Sequence, residues 1–332
     1  MSDNQPAVGR ILQIATGVWA TAILGAAASH SLFTHLENGE GTADKLAKRA
    51  GISERGAQSL LDGLVGIGLV ELRDGAYRNT AEASAFLIEG RPAYLGGLAK
   101  VMLVDVGNWS ALPEVVRTGV PVMAETHDVA NSSSWEELVP AIAPMAAPVA
   151  MIAADALRLA NTGEISILDV GGGSGIYSAI WLGINPAARS TQLDWGPVNA
   201  IARRLVADYG VADRFACIDG DLHVTDFGTA AYDVGVYSQV AHQEGSDDNV
   251  AILAKFRRAL KPGGTLVISD FIVEDDRSGP PFPLIFASAM LLQSKQGSTW
   301  RRADYRSWLA KAGFEAVSFQ ATPTPATLIF AR

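Results

Sequence analysis

Cysteine is nearly absent: Cys217 is the only one in 332 residues. No intramolecular disulfide can form, a cysteine-based zinc site is excluded, and a reducing cytoplasm is the expected setting. Cationic residues are outnumbered, 26 Lys and Arg against 35 Asp and Glu, for a net charge of -9. That balance creates no general attraction to nucleic acid or to an anionic membrane. His30, His35, His127 and His223 lack metal-ligand spacing, so they read as structural and no metal is expected. The amino end, "MSDNQPAVGR", has no basic region of the kind a secretory signal carries. Long uncharged runs are scarce. One, Ile11 to Ser29, approaches the length of a bilayer span. Gln13 interrupts it and no basic cluster flanks it. A helix buried against a second subunit is expected there instead of a membrane span.

Apolar residues are plentiful, at 48% of the chain, and the length suits two domains. Residues 8 to 36 read as helix. From Gly41 to Thr80 the grammar is helix, turn, helix, hairpin. One helix starts near Thr42, another at Ser53 with Glu54 in its first turn, and "GLVELRDGAYRNT" makes two strands around Asp-Gly. This is a winged helix. The stretch holds six basic and five acidic residues, a net of +1. Such a charge is a poor match to phosphates, so a packing and dimerisation role is preferred to DNA binding. Residues 84 to 160 read as helices, with a break near "THDVANSSS" and Ser133 or Ser134 capping the helix that follows.

From Ile165 short apolar runs alternate with helical stretches: "ISILDVGG", "STQLDW", "RFACIDGD", "AYDVGVYSQ" and "GTLVISDFI" are strands, each followed by a helix or loop. The end reads as two strands around a Thr-Pro turn. The fold class is α/β, a doubly wound, mostly parallel Rossmann-like sheet preceded by an all-helical, winged-helix domain. Ligands of such sheets bind at the carboxyl ends of the strands.

"ILDVGGGSG" ends the first of these strands, with Asp169 followed by Gly171, Gly173 and Gly175. A G-x-G-x-G loop lets backbone approach a ligand, and the next helix start favours an anionic group. A dinucleotide fingerprint needs a sixth-position glycine, which is missing: Ile176 and Ser178 stand there. Asp194 ends the second strand, 19 residues past Gly175, where an acid can bind ribose hydroxyls. "DGD", Asp219 to Asp221, ends the third, where an acid can accept from an adenine amino group.

With these motifs in order, the chain resembles S-adenosylmethionine-dependent methyltransferases of the plant caffeate and hydroxyindole O-methyltransferase type, including their bacterial relatives. The motifs carrying the likeness are "LDVGGGSG", "LDW", "GDL" and "LKPGGTLVISD". The resemblance implies S-adenosylmethionine as cofactor. Asp194 and Trp195 would meet its ribose side, and Asp221 and Leu222 would flank adenine. Ser238 would stand where the family has a cofactor-touching lysine. It implies a dimerisation domain over 1–100, connecting helices of the acceptor pocket over 101–160, and a methyltransferase domain over 161–332. It further implies a homodimer acting on a small molecule. Trp109, Trp135, Met145, Met290 and Trp300 are candidate pocket walls.

The same likeness puts a catalytic base on His242, in "VAHQEGSDDN", with Asp270 as the carboxylate that orients it. Asp270 is one methylene shorter than the family's glutamate, and Thr299 stands where a second glutamate is usual. A base is chemically useful: a phenol titrates near 10 and an ordinary histidine near 6.5, so the proton must move as the new bond forms. Transfer to a hydroxyl is the leading reading. Transfer to carbon, a non-catalytic cofactor-binding regulator, and a nicotinamide dehydrogenase are the alternatives.

Overall fold

A computed structural model describes residues 8–122 and 134–332. His127 and Ser133 lie outside them. The chain divides into one compact unit up to Gly107 and a second from Asn108. The expected edge at residue 100 thus falls inside a helix of the first unit, and the stretch 101–160 is shared between the two units.

The first unit opens with α1 (Val8–Ala15), α2 (Gly17–Ser29) and α3 (Leu32–Glu37). The single helix expected over 8–36 is therefore three. α1 and α2 meet at 43°, and Ser31, at φ 53, separates α2 from α3 because a left-handed residue cannot continue a right-handed helix. α1 buries none of its residues: Ile11 and Ile14 are 69% and 71% exposed. The winged helix follows as α4 (Ala43–Ala50), α5 (Glu54–Gly66), β1 (Val70–Arg73) and β2 (Ala76–Asn79). Ser53 caps α5 by accepting the Gly56 N–H at 3.0 Å. Asp74 and Gly75, at φ 51 and 76, supply the two positive values that a tight hairpin turn needs. Leu46, Leu61, Leu64 and Val70 close over Leu32 and Phe33 as the core. α6 (Ala81–Phe86) and α7 (Gly96–Asp105) complete the unit. α7 packs on α2 at Gly25, where any Cβ would lie 2.5 Å from that of Leu103. Glycine is what permits this approach.

The second unit begins with α8 (Leu112–Thr118) and α9 (Ser134–Ala156), then a seven-stranded sheet. Its strands are β3 (Ser166–Val170), β4 (Arg189–Asp194), β5 (Phe215–Asp219), β6 (Tyr232–Ser238), β7 (Leu260–Asp270), β8 (Val317–Ala321) and β9 (Thr327–Ala331). Between them run α10 (Ile176–Ile184), α11 (Gly196–Asp208), α12 (Ser246–Ala259), α13 (Pro281–Gln293) and α14 (Arg302–Lys311). The order is β5-β4-β3-β6-β7-β9-β8, parallel from β5 to β7, with β9 antiparallel to both its neighbours. Period-two alternation loads both faces. Leu168, Val170, Leu266 and Ile268 pack with Phe256 and Trp308 of α12 and α14. Ile167, Val236 and Val267 pack with Val149 and Trp181 of α9 and α10. The chain moves outward from β3 through β4 and β5, then returns to the far side of β3 as β6. The crevice of such a sheet opens at that reversal.

Among the described residues one helix, Trp135–Ala156, has the length and mean hydropathy (1.6) of a membrane span; the bent pair α1–α2 would make a second. Pro140, Pro144 and Pro148 lie within α9, and 39% of that apolar window is buried in the fold.

Candidate active site

Gly171, Gly173 and Gly175 all take left-handed backbone, at φ 66, 57 and 74. β3 ends, the loop turns over its own strand end, and α10 starts. A Cβ on Gly171 would lie 2.6 Å from Val240, and one on Gly172 2.5 Å from Gln192 Oε1 and 2.8 Å from Asp169 Cγ. The loop therefore lies so close to Val240, Gln192 and Asp169 that Gly171 and Gly172 leave no room for a side chain.

Two acids lie beneath and beside it. The Asp194 carboxylate accepts the Gly173 N–H at 2.9 Å and the Trp195 N–H at 2.7 Å, one on each oxygen. It thus props the loop open from β4 and retains a lone pair per oxygen. Burial pushes its pKa up to about 6, opposed by those two N–H groups. Asp169 is fully buried, and burial pushes it up to about 7, with the Asp194 charge adding to the effect. The Ser178 hydroxyl, at 3.5 Å, opposes only weakly. Among the described residues Asp169 Oδ1 and Gln192 Oε1 have no hydrogen-bond partner. Below them Gln192 donates to Gly173 O and Asn199, and Asn199 donates to Asp194 O, Ile218 O and Asp219. These two buried amides, seven residues apart, stitch the ends of β4 and β5 to the loop, and no motif announced them.

The other expected cofactor residues fall at the same edge. Trp195 stands at the start of α11, its ring 6.2 Å from that of Trp135. Ser238 ends β6, in register with Ser269. Leu222 packs partly against the core, and its carbonyl accepts from Lys255 Nζ at 2.9 Å. Asp221 Oδ1 accepts the His223 N–H and lies 2.8 Å from His223 Nδ1, while His223 Nε2 lies 3.0 Å from Glu244 Oε2. His223, expected to be structural, connects two carboxylates at the strand ends.

β6 leaves the sheet through Gln239, at φ 59, a left-handed turn outside glycine of the kind that gathers at functional sites. A single 3-10 turn, Ala241–Gln243, then carries His242. Its carbonyls are pinned: Ala241 O by Asn249 and Trp300, His242 O by Ser298 N, and Gln243 O by Ser294. His242 Nδ1 lies 2.7 Å from Asp270 Oδ1, and the His242 backbone N–H donates to Asp270 Oδ2 at 3.0 Å. The shorter acid reaches because the turn brings the whole histidine against the end of β7. Asp270 also accepts from Phe271 N at 2.7 Å and from the Tyr305 hydroxyl at 3.0 Å. Tyr305 was not foreseen; it comes from α14, 35 residues away. Thr299 is buried nearby in sequence, its hydroxyl without a partner, so it supplies no second carboxylate contact.

His242 Nε2 makes no hydrogen bond among the described residues. Its imidazole stacks on Phe271 at 5.9 Å and meets the edge of Phe286 at 5.0 Å, with Phe282 behind both. Phe282 and Phe286 come from α13 and place that helix beside the histidine. Of the candidate pocket walls, Trp300 holds Ala241 O and Met290 is buried in α13.

A glycine loop, an acid at each of three successive strand ends and an oriented histidine meet at one crevice. The O-methyltransferase domain family matches residues 118–315, and the O-methyltransferase dimerisation domain matches residues 12–89. The chain belongs to the O-methyltransferase family. It is an enzyme of the S-adenosylmethionine-dependent type that the motifs resembled. It is 32% identical to the 3-hydroxy-5-methyl-1-naphthoate 3-O-methyltransferase of Streptomyces sahachiroi, over 92% of this chain and 89% of that one. It is 31% identical to the tetracenomycin polyketide synthesis 8-O-methyl transferase TcmO of Streptomyces glaucescens, over 98% and 96%. Human N-acetylserotonin methyltransferase, in complex with SAM, shares the fold at TM-score 0.86 over 100% of this chain and 99% of that chain, with 23% identity. The family's dimerisation domain coincides with the first unit, whose α1 leaves its apolar side chains exposed.

Proposed function

We propose that this O-methyltransferase methylates a hydroxyl of an aromatic or polyketide-like small molecule, with His242 as general base and Asp270 as its orienting carboxylate. The observation that carries the reading is the 2.7 Å contact between His242 Nδ1 and Asp270, with Nε2 left without a partner beside an aromatic wall. Naphthoate and polyketide substrates, named for the two bacterial relatives, fit a wall of Phe271, Phe282 and Phe286.

The residues at the glycine loop fit S-adenosylmethionine. The loop and α10 suit a carboxylate, the unpartnered Asp169 Oδ1 suits an ammonium, Asp194 has acceptor capacity for ribose hydroxyls, and Asp221 with Leu222 takes the adenine end. Trp195 and Ser238 border this path. Bound there, S-adenosylmethionine supplies an electrophilic methyl carbon on a positively charged sulfur. His242 Nε2 takes the acceptor's hydroxyl proton as the oxygen–carbon bond forms, and Asp270 holds Nδ1–H and balances the imidazolium. Phe271 and Phe286 keep water from the proton in flight.

The working enzyme in this reading is a cytoplasmic homodimer, α1 and Trp19 of α2 being covered by the second copy. Nucleic acid and membrane have no part in it: the winged helix carries a net charge of only +1.

The test is methyl-labelled S-adenosylmethionine with a panel of phenols, catechols and hydroxyquinones, the products read by mass spectrometry, and His242→Ala run alongside. A labelled methyl ether that falls at least roughly tenfold in the variant supports the reading. Label on carbon, or a variant as active as wild type, removes the base role and promotes carbon methylation.

A further inference from the structure

Carboxylates accept hydrogen bonds and donate none; a neutral imidazole has one N–H and a cationic one has two. His223 Nδ1 lies 2.8 Å from Asp221 Oδ1 and its Nε2 3.0 Å from Glu244 Oε2. Both nitrogens therefore need a proton, and the ring that satisfies both contacts is the cation. The side chains are partly shielded, His223 being 27% exposed and Glu244 15%. Burial pushes the ring's pKa down, but Glu244 and Asp221 more than reverse this, so it ends above its ordinary value. Among the described residues a further charge at this place is Lys255 of α12, whose ammonium holds the carbonyls of Leu222, His223 and Thr225 at 2.9, 2.5 and 3.1 Å. Beyond it Asp226 pairs with Arg258. His223 thus faces Asp221 and Glu244, and Lys255 acts on Asp221 from α12.

The two carboxylates belong to different parts of the machinery. Asp221 lies on the loop after β5. Glu244 follows directly on the turn that carries His242. We propose that His223 is a positioning residue: a cation clamped between Asp221 and Glu244 that aims the adenine-end carboxylate and ties it to the loop bearing the base. The proposal rests on adenine binding at Asp221. When the ring loses a proton, one of its two contacts becomes a repulsion between lone pairs, and the clamp opens. Cofactor affinity then falls as pH rises through the His223 titration.

The probe is S-adenosylhomocysteine, with the full-length chain and no acceptor. Histidine labelled with 15N, its His223 signals identified by their loss in His223→Gln, reports the ring directly. A doubly protonated ring at about pH 7, titrating above about 6.5, is expected; a neutral ring there overturns the proposal. Calorimetric Kd values across the same range should weaken roughly tenfold in wild type, the worth of one hydrogen bond to a charged group. In His223→Gln that weakening should vanish, leaving only the opposite trend from Asp169 and Asp194, whose carboxyls are pushed up to about 7 and about 6. Glu244→Gln, which leaves the adenine end untouched, should move the His223 titration to lower pH. Wild-type pH dependence in His223→Gln, or an unmoved titration in Glu244→Gln, overturns the clamp. Asp221→Asn separates the two ideas. If it binds as wild type, adenine is not at Asp221 and the proposal falls with that placement. If it binds weakly while His223→Gln keeps the wild-type Kd and pH dependence, only the clamp fails.

Discussion

His242 and His223 stand at the same edge of one sheet, each with an aspartate on Nδ1, yet they differ at the second nitrogen. His242 Nε2 has no partner among the described residues and looks onto phenylalanine rings; His223 Nε2 meets Glu244. One carboxylate leaves an imidazole a vacant lone pair with which to take a proton. Two carboxylates occupy both nitrogens and, in the proposed clamp, keep both protons in place. The number of acids around the ring, more than the ring itself, separates a base from a clamp.

The largest expected effect would break that comparison outright. His242→Ala should lower kcat by about 10²–10⁴-fold while S-adenosylhomocysteine binds as in wild type. Equal losses in kcat and binding would mean that both histidines serve the cofactor. Asp270→Asn should cost about 10²-fold in kcat, because an amide at this place can turn its NH₂ toward Nδ1 and favour the wrong tautomer. Single-turnover rates measured at saturating cofactor would show it. Asp194→Ala acts on the other side of the comparison: Kd should weaken by roughly 10–100-fold, since hydrogen bonds to a charged group are lost, with a smaller change in kcat. Tyr305→Phe should lower kcat by about threefold to tenfold and leave Kd alone, one of four donors to Asp270 being removed.

The smallest effect sharpens the contrast between acids. Asp221 lies beside the His223 ring; among the described residues Asp169 has no cation beside it, and its carboxyl is pushed up to about 7. An unfolded aspartate titrates near 3.9, so between these values the native chain holds a proton that the unfolded chain has lost. The stability this contributes is complete below about 4 and is lost as pH rises through about 7. Relative to Asp169→Asn, the wild-type melting temperature should therefore fall between mildly acidic and mildly alkaline buffer. A constant difference between the two proteins would remove the buried proton.

What was legible in the sequence was local. The glycine loop, Asp194 and His242 each lie where a strand ends and a turn begins, and strand-to-helix alternation shows those places without any tertiary information. Asp270 was legible as a candidate, but its reach was not. The 2.7 Å contact depends on a 3-10 turn pinned by Asn249, Trp300, Ser298 and Ser294, four residues from two separate stretches. Tyr305 left no signal: an aromatic residue on an apolar helix face is ordinary core until its hydroxyl is placed. The bridge that His223 makes was hidden for a related reason. Its neighbour Asp221 lies two residues away, but Glu244 lies 21 away, and a histidine becomes a bridge only when both are in reach. The break of the first helix into three was hidden too, because Ser31 carries no glycine-like mark of its left-handed backbone.

Asp270 accepts from His242 twice, from Phe271 and from Tyr305, so each of its lone-pair directions already faces a donor. Most charged groups in water must wait for solvent dipoles to swing round when a neighbouring charge appears. Here the dipoles were turned during folding and are held by the backbone and by a buried ring. Were His242 to take the acceptor's proton as proposed, little around Asp270 would have to move. The reorganisation that a free imidazole and carboxylate would undergo in every turnover is done once, when the chain folds.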